Sequence, residues 1–513
     1  MLEEFYQLPA DTGIQAVFLG ASHAEQGISP MAIYERSGIV TFNLGSTAQS
    51  LGGSCFLLSE LLERQRPSLV LFDVSKLFQD EFSEYSYRAL LDNVPLSPNK
   101  VKLAWEYASH YPVEKRTGSF LGTVLPIYRY HDRWVELSEL DFMRPEAQNY
   151  YRKGNYFTSC TQPFVGSVEW LNKEAELLHE NFGWSTSIVD GTISSSWESG
   201  ALYEATIVEA NLDWLKQMKQ MCEENGVRLV LIKVPATENP QYYTGTWTRM
   251  RSEAAGRLAE ALSLDFLDLF YDVDLGIDWT KDTIDGGMHL NYTGMMKVSA
   301  YLADYLEHEC GLTGTSCKQY EEDLPTYRAM CDVAQIQMTD SLPAYLDTLS
   351  RRDDTTIFLS VADDMMTNLS AEERNALRRL GLQTDFDSLN YSDAFLAVIE
   401  NGTVRCEMSS NRRISYEGTL RNEQSYLISS CGWLVGTESM IVIDGIDYSL
   451  NHRGINVVVL DNASKKVLDS VAFDTWDVSE NQSAIRDNAK TEGFLREYEQ
   501  YLMIQDARNG IGA

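Results

Sequence analysis

The stretch VFLGASHAEQG, residues 17–27, is an apolar run that ends in Gly20-Ala21-Ser22-His23 and reaches a second glycine at Gly27. A strand that turns at small residues and presents a serine there has two readings. Ser22 either satisfies a backbone group in an ordinary turn or is a nucleophile. Outward from this point, strand and helix patterns alternate: QAVFLG, a helix near PMAIYERSG, VTFNLG, a helix through SCFLLSELLERQ, then SLVLFDVS. After an interruption the rhythm resumes with the helix EANLDWLKQMKQMCEENG, the strand RLVLIKVP, the helix RMRSEAAGRLAEALSL, the strand DFLDLF and a helix from Thr293 to about His308. Continuously apolar strands separated by helices predict a parallel sheet covered on both faces, a doubly wound α/β domain. Sites in such sheets lie at the carboxyl ends of the strands, where Ser22 falls.

The bulk properties narrow the chemistry. With 513 residues, 44% hydrophobic and 11% aromatic, the chain can bury more than one core. Its 42 basic against 75 acidic residues leave a formal charge of −33, without a Lys/Arg stripe, which argues against nucleic acid as a partner. A neutral glycan or small ester suits this surface better than a polyanion, unless folding gathers a local basic patch. No apolar run is long enough to cross a bilayer, and MLEEFYQLPADTG is not a signal peptide, so the chain reads as soluble. The first strand begins so soon after Met1 that an upstream anchor or export signal stays open. Eight cysteines show neither CxxC nor His-interleaved spacing, so no metal site is expected. Cys310 with Cys317 and Cys406 with Cys431 could pair under oxidising conditions, buried free thiols being the commoner state.

The first domain spans residues 1–315, with an aromatic-rich insertion at about 76–200 that contains LPIYRYHDRWVELSELDF and NYYRKGNYF. Insertions over strand ends shape pockets or carry lids, which makes His131 and Arg133 candidates for substrate contact; the plainer role is holding the insertion together. GLTGTSCKQYEEDLP suggests a linker over 316–339. A β-rich unit with at least one helix follows over 340–480: TTIFLSVADD, the helix LSAEERNALRRLGL, SDAFLAVIENGTVRCEMS with a hairpin at Asn401-Gly402, YLISSCG, SMIVIDGIDYSL, INVVVLDN and KVLDSVAFDT. A helical tail, 481–513, carries the amphipathic FLREYEQYLMI.

A serine hydroxyl needs a histidine to remove its proton and an acid to orient the imidazole. Of seven histidines, His289 stands apart, following Asp285 in DGGMHLNYTG at the crevice edge before the last helix of the domain. His23 adjoins the serine and should point elsewhere, and Lys233, at a strand end, reads as solvated.

GASH after the first strand, Asn43-Leu44-Gly45 after the second, and Asp285…His289-Leu290-Asn291 before the final helix resemble the SGNH/GDSL hydrolase superfamily. The likeness covers residues 14–308 and is nearest to a cell-envelope branch that looks like the alginate O-acetyltransferases and the teichoic acid D-alanyl transfer protein. It implies Ser22 as nucleophile, His289 as general base and Asp285 as orienting acid. Asp285 stands four residues before the histidine where the family usually has three, so Asp282 is the fallback. The implied oxyanion donors are the backbone N–H groups of Ser22 and Gly45. Where the family often has Gly-x-Asn-Asp this chain has LFDVSKLF, which leaves Gln49 as candidate for the missing donor. Asn43 is a further candidate for substrate contact, and no cofactor is called for.

The activity implied is O-acyl transfer or ester hydrolysis, with acetyl as the expected acyl group, on a cell-envelope or secreted polysaccharide through an acyl-serine. A membrane-bound acyltransferase partner and an extracytoplasmic, bacterial cell-surface location follow from the same resemblance. Residues 340–476 resemble the interleukin-like EMT inducer domain, on TTIFLSVADDMMTNLSAEERNALRRLGL, SDAFLAVIENG and GINVVVLDNASKKVLDSVAFDTW, in an order that looks circularly permuted. That implies carbohydrate recognition, with Trp433, Arg453, Asp474 and Trp476 the residues to examine, or else a structural module. Two alternatives stay open: a non-catalytic glycan-binding protein with a degenerate first domain, and a lipid-acting esterase.

Overall fold

The computed structural model describes residues 2–10, 12–78, 84–125, 207–236, 245–279, 281–284, 289–476 and 484–510. The chain divides into two compact units, Met1–Leu324 and Pro325–Ala513.

Five strands build the first unit: β1 Ala16–Leu19, β2 Thr41–Asn43, β3 Leu69–Asp73, β4 Arg228–Lys233 and β5 Asp265–Asp268. All neighbours pair in parallel, in the order β2-β1-β3-β4-β5. The first three strands are buried along their whole length, as AVFL, TFN and LVLFD require of strands covered on both faces. The sheet runs outward from β1 in both directions, so the crevice of the switch point opens at the carboxyl end of β1, just before Ser22. The helices Pro30–Ser37 and Tyr292–His308 close one core with Phe18, Ile33, Leu71, Val230, Val298 and Leu302. Each such side chain contributes about 1.5–3 kcal/mol by leaving water. A two-stranded antiparallel ladder, β6 Thr283–Ile284 with β7 His289–Leu290, precedes Tyr292–His308.

The insertion opens with three helices, Glu84–Leu91, Pro98–Ser109 and Val113–Val124. His131 and Arg133 lie outside the described residues. The stretch expected as a linker is instead a helix, Lys318–Met338, in which Tyr320, Tyr327, Met330, Val333, Ala334 and Gln337 are buried at helical spacing. Pro325 and a polar opening turn masked that period in the sequence.

The second unit is a nine-stranded mixed sheet. Its strands are β8 Thr355–Asp363, β9 Ala394–Glu400, β10 Thr403–Ser410, β11 Ile414–Thr419, β12 Ser425–Gly432, β13 Glu438–Ile443, β14 Ile446–Asp447, β15 Gly454–Asp461 and β16 Val467–Phe473. The β9–β10 hairpin turns at Asn401 and Gly402 with φ of 51° and 68°, the left-handed pair that an Asn-Gly turn supplies. Arg486 reaches into this unit and pairs with the fully buried carboxylate of Asp469 at 3.0 Å, which also accepts the Tyr345 hydroxyl at 2.9 Å. Among the described residues no helix is long and apolar enough to cross a membrane.

Candidate active site

β1 runs into Gly20 with φ of 155°, where a Cβ would stand 2.8 Å from Asp73 Cβ; glycine alone lets the chain pass the end of β3 so closely. The helix Ser22–Gly27 starts immediately after, with Ser22 at its first position, where a backbone N–H has no intrahelical acceptor. His289 comes from β7. Its Nε2 stands 2.8 Å from Ser22 Oγ, so the fold joins two residues separated by 267 positions. Asp285 lies outside the described residues. Asp282 is committed elsewhere: it accepts the Thr293 hydroxyl at 2.7 Å, the Asp278 N–H at 2.7 Å and the Lys297 ammonium at 2.5 Å. It anchors the start of helix Tyr292–His308, which corrects its reading as fallback acid.

Of the expected oxyanion donors, Ser22, Gly45 and Gln49, the last two need a similar correction. The Gly45 N–H donates to Asn43 Oδ1 at 2.9 Å. Gln49, 1% exposed, accepts the Ser46 hydroxyl at 2.7 Å and donates Nε2 to Ser54 Oγ at 2.9 Å. Asn43 is no substrate contact either, because it is buried with Nδ2 donating to the carbonyls of Ala24 and Ile28 at 2.8 and 3.0 Å. It ties the end of β2 to the helix that carries Ser22. Buried amides find partners, and here the scaffold offers them before any substrate can.

Lys233 also departs from its expected solvated role. It is 6% exposed at the end of β4, its ammonium 5.6 Å above the Phe270 ring, between the ends of β3 and β5. The carboxylates there, Asp73 and Asp268, are buried, and burial raises both pKa values while the Lys233 charge opposes the rise. Asp73 accepts the Val234 N–H at 3.1 Å, and Asp268 the N–H groups of Phe270 and Tyr271 at 2.9 and 3.0 Å. Three charged residues at three successive strand ends were a signal visible in the sequence. Glu25, one turn after Ser22, has its pKa raised by burial, opposed by a 2.7 Å bond from Thr47. His23, expected to point elsewhere, instead places its ring 5.3 Å from the His289 ring, centroid to centroid.

Among solved structures, the chain is similar to a GDSL-like lipase from Bacteroides thetaiotaomicron VPI-5482, with 12% identity and a TM-score of 0.28 over 60% of this chain and 96% of that one. A second similar structure, provisionally named an acylhydrolase, comes from Bacteroides fragilis NCTC 9343, with 9% identity and a TM-score of 0.26 over 59% and 92% of the two chains. No curated protein matches the chain.

In the second unit, the end of β8, the end of β12 and the start of β15 meet at Ala362–Asp363. Arg453 forks onto Asp474 there, with contacts of 2.6 to 3.1 Å, and its guanidinium sits 4.4 Å above the Trp476 ring. Trp433 donates its backbone N–H to Asp363 O at 2.9 Å and faces Tyr391, ring centroids 6.3 Å apart. Residues 453–498 match the interleukin-like EMT inducer family. The interleukin-like EMT inducer match takes in β15, β16, Arg453, Asp474 and Trp476. Trp433, outside it, shares the same sheet end and is 54% exposed, Trp476 47%.

Proposed function

We propose that the first unit is a serine-dependent acyl-transfer enzyme, an O-acyltransferase or esterase that loads an acetyl-type acyl group onto Ser22. From there the group passes to a hydroxyl of a cell-envelope or secreted polysaccharide, or to water. The observation carrying this reading is the 2.8 Å contact between Ser22 Oγ and His289 Nε2 at the switch point of the sheet.

In this reading His289 takes the Ser22 proton as Oγ attacks the acyl carbonyl carbon. The tetrahedral oxyanion then collapses, the donor oxygen leaves with the proton from His289, and the acyl group stays on Oγ. The acceptor hydroxyl repeats the sequence in reverse, giving its proton to His289 as it attacks; Ser22 leaves and recovers a proton. Asp285 is assigned as the orienting acid on the resemblance alone. Whether a sugar or water accepts depends on how well the loaded site excludes water. The same resemblance supplies the membrane-bound acyltransferase as acyl source and the extracytoplasmic location.

A fluorophosphonate probe with peptide mapping tests the proposal. The expected result is a single adduct on Ser22, absent in Ser22→Ala. A chain that takes up no probe, or is modified equally in Ser22→Ala, contradicts it.

The second reading is a non-catalytic glycan-binding protein, favoured by the exposed Trp433 and Trp476 beside the Arg453–Asp474 pair. Aromatic faces with a charged hydrogen-bonding pair suit the apolar and polar sides of a sugar ring. Retention on immobilised glycans without any probe adduct supports this reading over the first.

A further inference from the structure

With Gly45 and Gln49 bonded within the scaffold, the Ser22 N–H is what remains of the donors that the resemblance supplied. Two further N–H groups of that loop are committed as well. The Ser46 N–H donates to Gly20 O at 3.3 Å and the Gln49 N–H to Ser46 O at 3.0 Å. After β3, Ser75 turns both its hydroxyl and its N–H onto Asp73. His23 is different. It follows the serine directly, is half-buried, packs its ring against His289, and neither of its ring nitrogens bonds a described residue.

We infer that His23 is a catalytic residue, the imidazole N–H that donates to the oxyanion formed on the acyl carbonyl, in the place of the missing asparagine. The inference rests on the Ser22 acyl-transfer reading and names the group that completes that site. A neutral imidazole suits the task because it carries one N–H donor and, unlike an imidazolium, does not surrender the proton to the oxyanion. His23 is held neutral by burial first, then by the charges of Lys233 and Lys76 and by that of His289 once it is protonated. When His289 takes the Ser22 proton, its new charge next to His23 discourages a second protonation, so the donor stays neutral while the oxyanion exists.

The test compares wild type, His23→Leu and His23→Gln in the full chain, by the second-order rate of fluorophosphonate addition to Ser22 and by p-nitrophenyl acetate turnover. Both reactions place a negative oxygen in the same hole. The expected result for His23→Leu is a loss of about 10²–10³-fold in labelling rate and kcat, with KM nearly unchanged, the signature of a donor engaged only at the transition state. His23→Gln, which keeps an N–H donor, recovers part of the loss. A His23→Leu chain that labels at the wild-type rate overturns the inference. So does a loss shared equally by Leu and Gln and tracking a fall in thermal midpoint. If wild type itself takes up no probe, the acyl-transfer reading fails first, which is a distinct outcome.

Discussion

The strand ends of the first unit and the strand ends of the second treat polar side chains in opposite ways. Around Ser22, Asn43, Gln49 and Asp73 are 4%, 1% and 1% exposed and hydrogen-bonded into the scaffold. Around Asp363, Arg453 stays half-exposed while stacking on a tryptophan that is itself open to solvent. The first arrangement fixes a serine and an imidazole at hydrogen-bonding distance. The second leaves aromatic faces available. Geometry held by buried amides suits a reaction, and open rings beside a charged pair suit recognition.

The largest expected effect lies where the second unit resembles the first, in a buried polar network. Arg486→Met leaves Asp469 buried without its cation and should cost about 3–5 kcal/mol. Peptide-resolved thiol modification in urea reads it, since Cys406 and Cys431 are buried in this unit and Cys55 and Cys222 in the first. An unchanged midpoint for Cys431 would break the comparison. Next, Asn43→Ala removes a buried amide and strands the Ala24 and Ile28 carbonyls, so Cys55 and Cys222 should become modifiable with about 1–3 kcal/mol less protection. Labelling of Ser22 should slow as its helix loosens. No loss of protection would mean that Asn43 is not the brace described.

A smaller effect belongs to the open rim. Trp476→Ala removes a face that also carries Arg453, and glycan retention should weaken by about 1–2 kcal/mol, measured by affinity electrophoresis. Equal retention would make the rim a plain sheet end. Smallest is a pH effect. Since the pKa of His23 is depressed in the folded state, the unfolded chain binds a proton below about pH 6.5 that the folded chain refuses, so stability falls as pH drops through that window. The slope contributed is at most about 1.4 kcal/mol per pH unit. His23→Gln should lack it, and parallel denaturation curves for the two chains between about pH 7.5 and about pH 5 would contradict the assignment.

What could be read in advance follows the length scale of the interactions. Strands such as LVLFD and AVFL are buried on both faces, so hydrophobicity alone marks them, and all five strands of the first sheet fall where the sequence put them. β11 went unseen because only Ile414 is buried along it, which leaves no apolar run to detect. Ser22 and His289 were legible because each sits at an element boundary with distinctive neighbours. The fates of Gln49, Asn43 and Asp282 were not, because an amide or carboxylate chooses among partners that only the folded chain brings near. The run of charged strand ends marks Lys233, but its electrostatic partner Asp73 stands 160 residues away, and no local pattern encodes that pairing.

The account turns on Ser22 and His289 acting as one device. A double-mutant cycle on kcat/KM for p-nitrophenyl acetate tests this directly, with Ser22→Ala, His289→Ala and the double variant. The prediction is that each single change costs about 10⁴-fold or more and that the double costs no more than the worse single, because either loss disables the same step. Losses that multiply, or a single variant that retains wild-type activity, would contradict it.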